Sequence, residues 1–161
     1  MNWYALKVYY NRIAALTIKL AAEGIEYFAP TDVITSLLFV HCEEQTIKNI
    51  SDKYWQQAWV YHRLDDRSKP AAIRDKEMEV FRFIVTAGRE GLTLLGDDKP
   101  EYHKGDRVIV TGGPFCGAEG HIVRIKRDRR LVVTINGVVA VATTYIHPSL
   151  LKKITPDNDQ R

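Results

Sequence analysis

The residues of this sequence that could do chemistry lie mainly in one basic run. Five cations fall between positions 124 and 130, opposed only by Asp128: Arg124, Lys126, Arg127, Arg129 and Arg130. A cluster of this kind can hold the phosphate groups of a nucleic acid, although a charge run alone is a weak motif. The more common role is a solvated turn, which is our first interpretation. Direct RNA contact remains the alternative.

Patterns that would indicate catalysis or a metal site are missing from the sequence. The five histidines, at positions 41, 62, 103, 121 and 147, are dispersed and belong to no HExxH or Ser-His-Asp signature. Cys42 and Cys116 have no CxxC spacing, and no phosphate-binding glycine loop follows a strand. We therefore predict free thiols, no metal, no cofactor and no enzymatic activity.

The composition is that of a soluble globular protein. With 161 residues the chain has room for one ordinary domain or two small ones, and its net charge of +3 is too small to establish a nucleic-acid binder. The first residues do not form a charged segment followed by an apolar core, and no apolar run approaches the roughly 20 residues of a membrane span. We expect a cytoplasmic protein that makes no membrane contact.

The elements that would position the basic run belong to a stretch from Gly105 to Val133. Alternating apolar residues mark three short strands, separated by glycines that permit tight bends. The dipeptide Asn136-Gly137, flanked by apolar pairs, is a strong hairpin signal. This pattern predicts a small closed barrel of five antiparallel strands and about fifty residues.

The first half of the chain predicts a different kind of domain. Asn11 is placed to cap the first helix and Gly24 to end it. The element order β-α-β-β-α-β-α indicates an α+β fold with helices packed on a mostly antiparallel sheet. The predicted strands are 3–9, 25–28, 37–42 and 55–63, and the predicted helices are 11–23, 43–51 and 75–85.

Both halves resemble parts of one known family. The segment GDRVIVTGGPFCGAEGHIVRI resembles the KOW motif of the NusG transcription factors, with Gly120 at the motif's characteristic glycine. The segments WYALKVYYNR, GIEYFAPTDVI, LLFVHC and KPAAIRDKEMEVF resemble the NusG N-terminal domain. The resemblance implies a NusG-type α/β sandwich at 1–86, a linker at 87–100, an SH3-like KOW barrel at 101–154 and a tail at 155–161.

The resemblance also implies a function. A protein of this family would act in transcription elongation or antitermination by binding RNA polymerase through its N-terminal domain. Its KOW domain would recruit a second factor, with ribosomal protein S10 or Rho as candidates, and the elongation complex offers nucleic-acid contacts. A short, acidic segment at 30–37 and Arg74 before the last helix depart from the family pattern and favour a specialised paralogue of the RfaH or UpxY kind. The alternative is a ribosome-associated KOW protein that binds RNA.

Two sets of site residues follow from the resemblance. We expect Trp3 to stand at an exposed sheet edge, where it could anchor the polymerase contact. The implied polymerase-binding residues are Trp3, Tyr4, Ile34 and Leu37, and the implied partner-binding residues of the KOW domain are Phe115, Gly120, Arg124, Lys126 and Arg127. The alternatives are that Trp3, Ile34 and Leu37 are ordinary core and that Phe115 plugs the barrel. The target operon and its recruitment signal are left open.

Overall fold

The computed structural model describes residues 1–87 and 91–154. The chain divides into two compact units, Met1–Met78 and Glu79–Arg161, and the division falls inside its third helix. Residues 88–90 of the predicted linker and the predicted tail at 155–161 lie outside the described residues.

The N-terminal unit has the predicted order of elements, which confirms an α+β fold. Its strands form one antiparallel sheet in the order β2-β3-β1-β4. The elements in chain order are β1 (Asn2–Val8), α1 (Ile13–Ala22), β2 (Glu26–Phe28), β3 (Leu37–Cys42), α2 (Glu44–Lys53) and β4 (Ala58–Val60). They are followed by α3 (Asp75–Ala87), of which only the first turn belongs to this unit. The predicted β3 matches the observed strand, whereas the predicted strand at 55–63 is reduced to three residues because a turn at 54–57 follows α2.

One face of this sheet forms the core with α1 and α2. Successive residues of a strand point to opposite faces, so every second residue of β1 belongs to the same side. On this side, Tyr4, Leu6 and Val8 of β1 join Leu16 and Leu20 of α1 in a single buried cluster. The same cluster includes Leu38 and Val40 of β3 and Ile47 and Ile50 of α2. The opposite face of the sheet is covered as well, because Trp3, Ala5 and Phe39 are also buried.

The two ends of α1 show one correct prediction and one wrong one. Gly24 follows the helix with a φ of 71°, the left-handed conformation expected of a terminating glycine. The predicted cap at Asn11 is wrong, because Arg12 occupies the capping position and makes no side-chain hydrogen bond there. Tyr10 and Asn11 instead both have positive φ values, near 57° and 54°. The tight exit from β1 uses the tolerance of asparagine for this conformation, which leaves it unable to cap.

The C-terminal unit is built on a six-stranded antiparallel sheet in the order β10-β6-β7-β8-β9-β5. Five of the strands fall inside the predicted KOW range: β6 (Arg107–Val110), β7 (Glu119–Ile125), β8 (Asp128–Ile135), β9 (Val139–Tyr145) and β10 (Leu151–Lys153). The sixth, β5 (Thr93–Gly96), comes from the range predicted as linker and pairs with β9. Asn136-Gly137 joins β8 to β9, as the hairpin signal predicts.

The segment that follows β5 is also attached to this unit. The Asp98 carboxylate is almost fully buried and accepts hydrogen bonds from His103 Nε2 at 2.8 Å and from the Gly137 backbone N–H at 2.9 Å. Leu95 of β5 packs against the core cluster that contains Val132 and Ala142. Residues 93–103 are therefore part of the folded unit. Within 1–87 and 91–154, none of the helices combines the length and the apolar character that a membrane crossing requires.

Candidate binding surfaces

The four residues predicted to contact polymerase are all buried. Trp3 is 4% exposed, and Tyr4, Ile34 and Leu37 are similarly covered. Tyr4 belongs to the core beside α1 and α2, where burial is the main cause that raises the pKa of its hydroxyl. The sheet register places Trp3 and Leu37 on the opposite face of the sheet from Tyr4. The four residues therefore do not form one continuous surface.

The expectation that Trp3 stands at an exposed sheet edge is wrong. Strand β1 lies between β3 and β4, and the backbone of Trp3 also exchanges hydrogen bonds with Ile73 at 2.8 and 3.1 Å. The indole ring stacks on the imidazole of His41, with ring centroids 4.8 Å apart. A strand that begins at the first residues of a chain is often an edge strand, but here later segments flank it on both sides.

His41 holds several elements together beneath Trp3. Its Nδ1 lies 2.9 Å from the Glu26 carboxylate of β2, and its Nε2 lies 3.5 Å from the carboxylate of Asp75, the first residue of α3. The imidazole thus joins β3 to β2 by a hydrogen bond, whereas its buried Nε2 lies near Asp75 but makes no hydrogen bond among the described residues. No sequence motif includes His41, although a histidine inside the apolar strand LLFVHC is a signal that it has polar partners.

Several exposed aromatic side chains of the N-terminal unit lie on or close to strand β4. Tyr10 is 82% exposed, Trp55 71% and Trp59 46%. Trp59 lies directly opposite Lys7 in the sheet, and its ring contacts Tyr61 edge to face at 4.8 Å. The backbone N–H of Tyr9 donates to Gln57 O at 2.8 Å, which extends the pairing of the two strands.

We call the exposed residues Tyr9, Tyr10, Trp55 and Trp59 the aromatic edge; Tyr61, which contacts Trp59, is only partly exposed. Trp55, Trp59 and Tyr61 fall in the strand predicted at 55–63, and the sequence patterns indicate no site there. Large aromatic side chains that remain exposed at one place on a small unit are typical of interaction surfaces. The aromatic edge is therefore the candidate protein-binding surface of the N-terminal unit.

The predicted partner site of the KOW domain divides into two places. Phe115 lies in the turn between β6 and β7, with only 9% of its surface exposed. Lys126 and Arg127 lie at the other end of β7, where the chain turns into β8. The seven residues of β7 separate the two ends by roughly 20 Å. A single small partner would not contact both ends through these side chains.

Gly120 has a structural role between β7 and β8. A Cβ atom at this position would collide with the carbonyl oxygen of Val132 and would approach the side chain of Leu131 at 3.0 Å. The glycine therefore allows the two strands to lie close together. This close approach is a sufficient reason for a glycine here.

The turn between β7 and β8 brings the basic residues together. Arg124 of β7 lies directly opposite Arg129 of β8, and the last pair, Ile125 with Asp128, leaves a two-residue turn of Lys126 and Arg127. We call Arg124, Lys126, Arg127 and Arg129 the basic hairpin. At its base, Arg130 lies opposite the exposed Tyr145 and donates a hydrogen bond to Thr93 Oγ1 at 3.2 Å. The basic hairpin is the candidate anion-binding surface of the C-terminal unit.

Comparison with known proteins supports the predicted motif. Residues 104–136 match the family model described as "KOW motif", which confirms that prediction. No curated protein matches the chain. A solved structure described as "Domain interaction in Thermotoga maritima NusG" is similar over 96% of this chain and 97% of that chain, with 16% sequence identity and a TM-score of 0.49.

Proposed function

We propose that this chain is a NusG-type transcription elongation or antitermination factor that works by binding, without catalysis. Its N-terminal unit would bind RNA polymerase, and its KOW unit would engage a second factor. The observation that carries the proposal is the combination of a KOW motif at 104–136 with a preceding α+β unit of the order β-α-β-β-α-β-α. A KOW motif alone occurs in proteins of several functions. The preceding α+β unit is therefore what favours a NusG-type factor over other KOW proteins.

The aromatic edge is the surface we assign to polymerase. Its exposed rings can be removed from water on binding, whereas the buried side chains of Trp3, Tyr4, Ile34 and Leu37 cannot. A direct role for those four residues stays a prediction. Their substitution would also disturb the core, so a loss of binding in those variants would not separate contact from folding.

Substitution of Trp59 tests this assignment. Truncation of an aromatic anchor typically costs about 2 kcal/mol, so Trp59→Ala should weaken polymerase binding about thirtyfold. The measurement is a titration of purified RNA polymerase with the full chain. Ile18→Ala is the matched control, because Ile18 is an exposed apolar residue on α1 and lies outside the aromatic edge. An equal affinity for wild type and Trp59→Ala, with folding intact, would place the contact elsewhere.

The family-level proposal needs a functional test as well. Transcription by the purified polymerase through a terminator should show increased read-through when the chain is added. The second candidate, a ribosome-associated RNA-binding protein, is favoured by the basic hairpin and predicts co-sedimentation with a ribosomal subunit. Recovery of a ribosomal subunit without polymerase from the same cell extract would favour the second candidate over the first.

The division of labour between the units is part of the proposal. The binding modules are the predicted ranges 1–86 and 101–154, the second extended by the attached residues 93–100, with ribosomal protein S10 or Rho as candidates for the KOW partner. Phe115 is the predicted contact at one end of β7, and the basic hairpin occupies the other end. Both ends remain assigned to partners by prediction.

A further inference from the structure

The basic hairpin places like charges in direct opposition. Arg124 and Arg129 are paired across the two strands, and both side chains are exposed. Directly opposite residues have Cβ atoms about 5 Å apart, and two side chains of like charge in this position destabilise the strand pair. The hairpin would be more stable on its own with a neutral residue at either position. An anion that lies across both arginines would remove the repulsion.

The turn adds a second unfavourable feature. Lys126 has a φ of 54°, a left-handed conformation that asparagine or glycine adopts at lower cost. The next hairpin of the same unit uses Asn136-Gly137, with Gly137 at a φ of 76°. The chain thus places cations, rather than the residues that suit the backbone, at the tip of the basic hairpin. Local stability does not explain that choice of residues.

The positive charge is concentrated at this place. The seven residues 124–130 contain five cations and one carboxylate, a net charge of +4, whereas the whole chain carries +3. The rest of the chain is therefore slightly negative. The single carboxylate, Asp128, lies 3.8 Å from the Arg130 guanidinium at the base of the hairpin. The tip, Lys126 and Arg127, is left as a compact positive projection from a nearly neutral protein.

We propose that the basic hairpin binds the phosphate backbone of a nucleic acid. Nucleic acids carry a dense row of negative charge, which matches two facing arginines and a basic tip better than isolated carboxylates would. The site has few groups that could distinguish base edges, so binding is independent of sequence and strongly dependent on salt. The inference deepens the proposed function by naming the partner class of the hairpin, and its transcriptional setting rests on that function.

The test measures binding of the full chain to fluorescently labelled nucleic acid. The probes are a duplex DNA of about 20 base pairs and single-stranded DNA and RNA of about 20 nucleotides, each in two unrelated sequences, at about 50 and 200 mM salt. The variant pairs are Arg124→Gln with Arg129→Gln, and Lys126→Gln with Arg127→Gln. The control pair, Lys99→Gln with Lys152→Gln, removes two exposed cations from the same unit outside the hairpin.

We expect each hairpin pair to weaken binding at least about tenfold and to lower the salt slope by about two, because each lost phosphate contact lowers the slope by about one. The control pair should change affinity less than about twofold. Probe affinity should be the same for both sequences, and the relative affinities of the three probes show whether DNA or RNA is preferred. Equal effects of hairpin and control pairs, or no binding at the lower salt concentration, would overturn the proposal. So would competition by polyglutamate as effective as that by unlabelled nucleic acid.

The melting temperature of each variant, measured with and without nucleic acid, separates a loss of binding from a loss of stability. Without ligand, Arg129→Gln should melt at the same temperature as wild type or higher, because it removes the repulsion with Arg124. Nucleic acid at one fixed concentration should raise the melting temperature of the wild type more than that of the variant. A lower melting temperature for the free variant would contradict the argument from like charges.

Polymerase binding by the same variants separates the two proposals. Loss of nucleic-acid binding with polymerase binding retained supports both the hairpin assignment and the proposed function. Nucleic-acid binding by a chain that does not bind polymerase supports the hairpin assignment and removes its transcriptional setting. Polymerase binding without any nucleic-acid binding sinks the hairpin assignment alone.

Discussion

The two units of this protein expose opposite kinds of chemistry on similar scaffolds. Both are built on antiparallel sheets, yet the N-terminal unit exposes the rings of the aromatic edge and the C-terminal unit exposes the cations of the basic hairpin. Contacts made by aromatic rings gain from the loss of water and depend little on salt. Contacts made by cations weaken steeply as salt increases. One chain can therefore hold two partners by forces that respond to different conditions.

The interiors of the two units differ as well. Large side chains such as Phe39, Leu16 and Leu20 are fully buried in the N-terminal unit. The C-terminal unit buries many small residues, among them Ala118, Ala140 and Ala142. Small residues let backbones approach each other, so the C-terminal unit depends more on close strand contacts. We expect backbone-level changes to damage the C-terminal unit more.

The largest expected effect tests this difference at two glycines. Gly120→Ala forces a Cβ against the Val132 carbonyl and should destabilise the C-terminal unit by about 4 kcal/mol or more. Gly24→Ala meets no atom within 4 Å and should cost the N-terminal unit about 1 kcal/mol, because only its φ of 71° is unfavourable. All three tryptophans lie at positions 3, 55 and 59, so denaturation followed by their fluorescence reports on the N-terminal unit.

Amide hydrogen exchange in β7 and β8 reports on the C-terminal unit in the same samples. Gly120→Ala should abolish protection there and leave the tryptophan transition unchanged. Unchanged protection in β7 and β8 would show that the strands can separate to accept a side chain, and the contrast between the two interiors would then fail.

The next effect concerns where the C-terminal unit begins. A fragment of residues 91–154 contains β5 and Asp98, whereas a fragment of residues 101–154, the range predicted from sequence, lacks both. The longer fragment should be more stable by about 3 kcal/mol, because it keeps the Leu95 contacts and two hydrogen bonds to a buried carboxylate. Thermal unfolding followed by circular dichroism measures the difference.

An intermediate variant separates the two contributions. Asp98→Ala in the longer fragment should lose about 1–3 kcal/mol, since it leaves the Gly137 N–H without its acceptor. If the two fragments melted at the same temperature, β5 would add nothing to the unit and the predicted boundary at residue 101 would be adequate.

The smallest effect compares the single cysteine of each unit. Cys42 is buried and Cys116 is exposed. Burial raises the pKa of the Cys42 thiol to about 11, so its thiolate fraction stays low at neutral pH and rises only as the pH approaches that value. A thiol reagent at pH 8 should modify Cys116 about a hundredfold faster than Cys42. The variants Cys116→Ser and Cys42→Ala show which thiol reacts in the fast and in the slow phase of modification. If both thiols of the folded protein reacted at the same rate, the burial of Cys42 would be contradicted.

Local patterns in the sequence were sufficient to predict the elements but not their neighbours. The continuous apolar run of LLFVHC defines β3 to the residue, and Asn136-Gly137 identifies its hairpin, because these signals act over a few positions. The burial of Trp3 could not be predicted in this way, since it depends on β4 and Ile73 lying beside β1. Strand β5 was missed because TLLG has no alternating pattern and is stabilised by pairing with β9.

The candidate sites show the same limit. Arg124, Lys126 and Arg127 are close in sequence, so their grouping could be predicted before the fold was known. Their opposition to Arg129 and their separation from Phe115 depend on the register and length of β7. The aromatic edge joins residues of the β1 exit with residues of β4, a proximity that only the sheet order reveals.

The burial of Asp98 also restricts how the chain can change in length over evolutionary time. A single inserted or deleted residue between β5 and His103 would move either the strand out of register with β9 or the carboxylate away from Gly137. A segment that resembles an ordinary connector should therefore tolerate substitutions while rejecting changes in residue number. Genetic fusions or epitope tags placed between 93 and 103 should fail for the same reason.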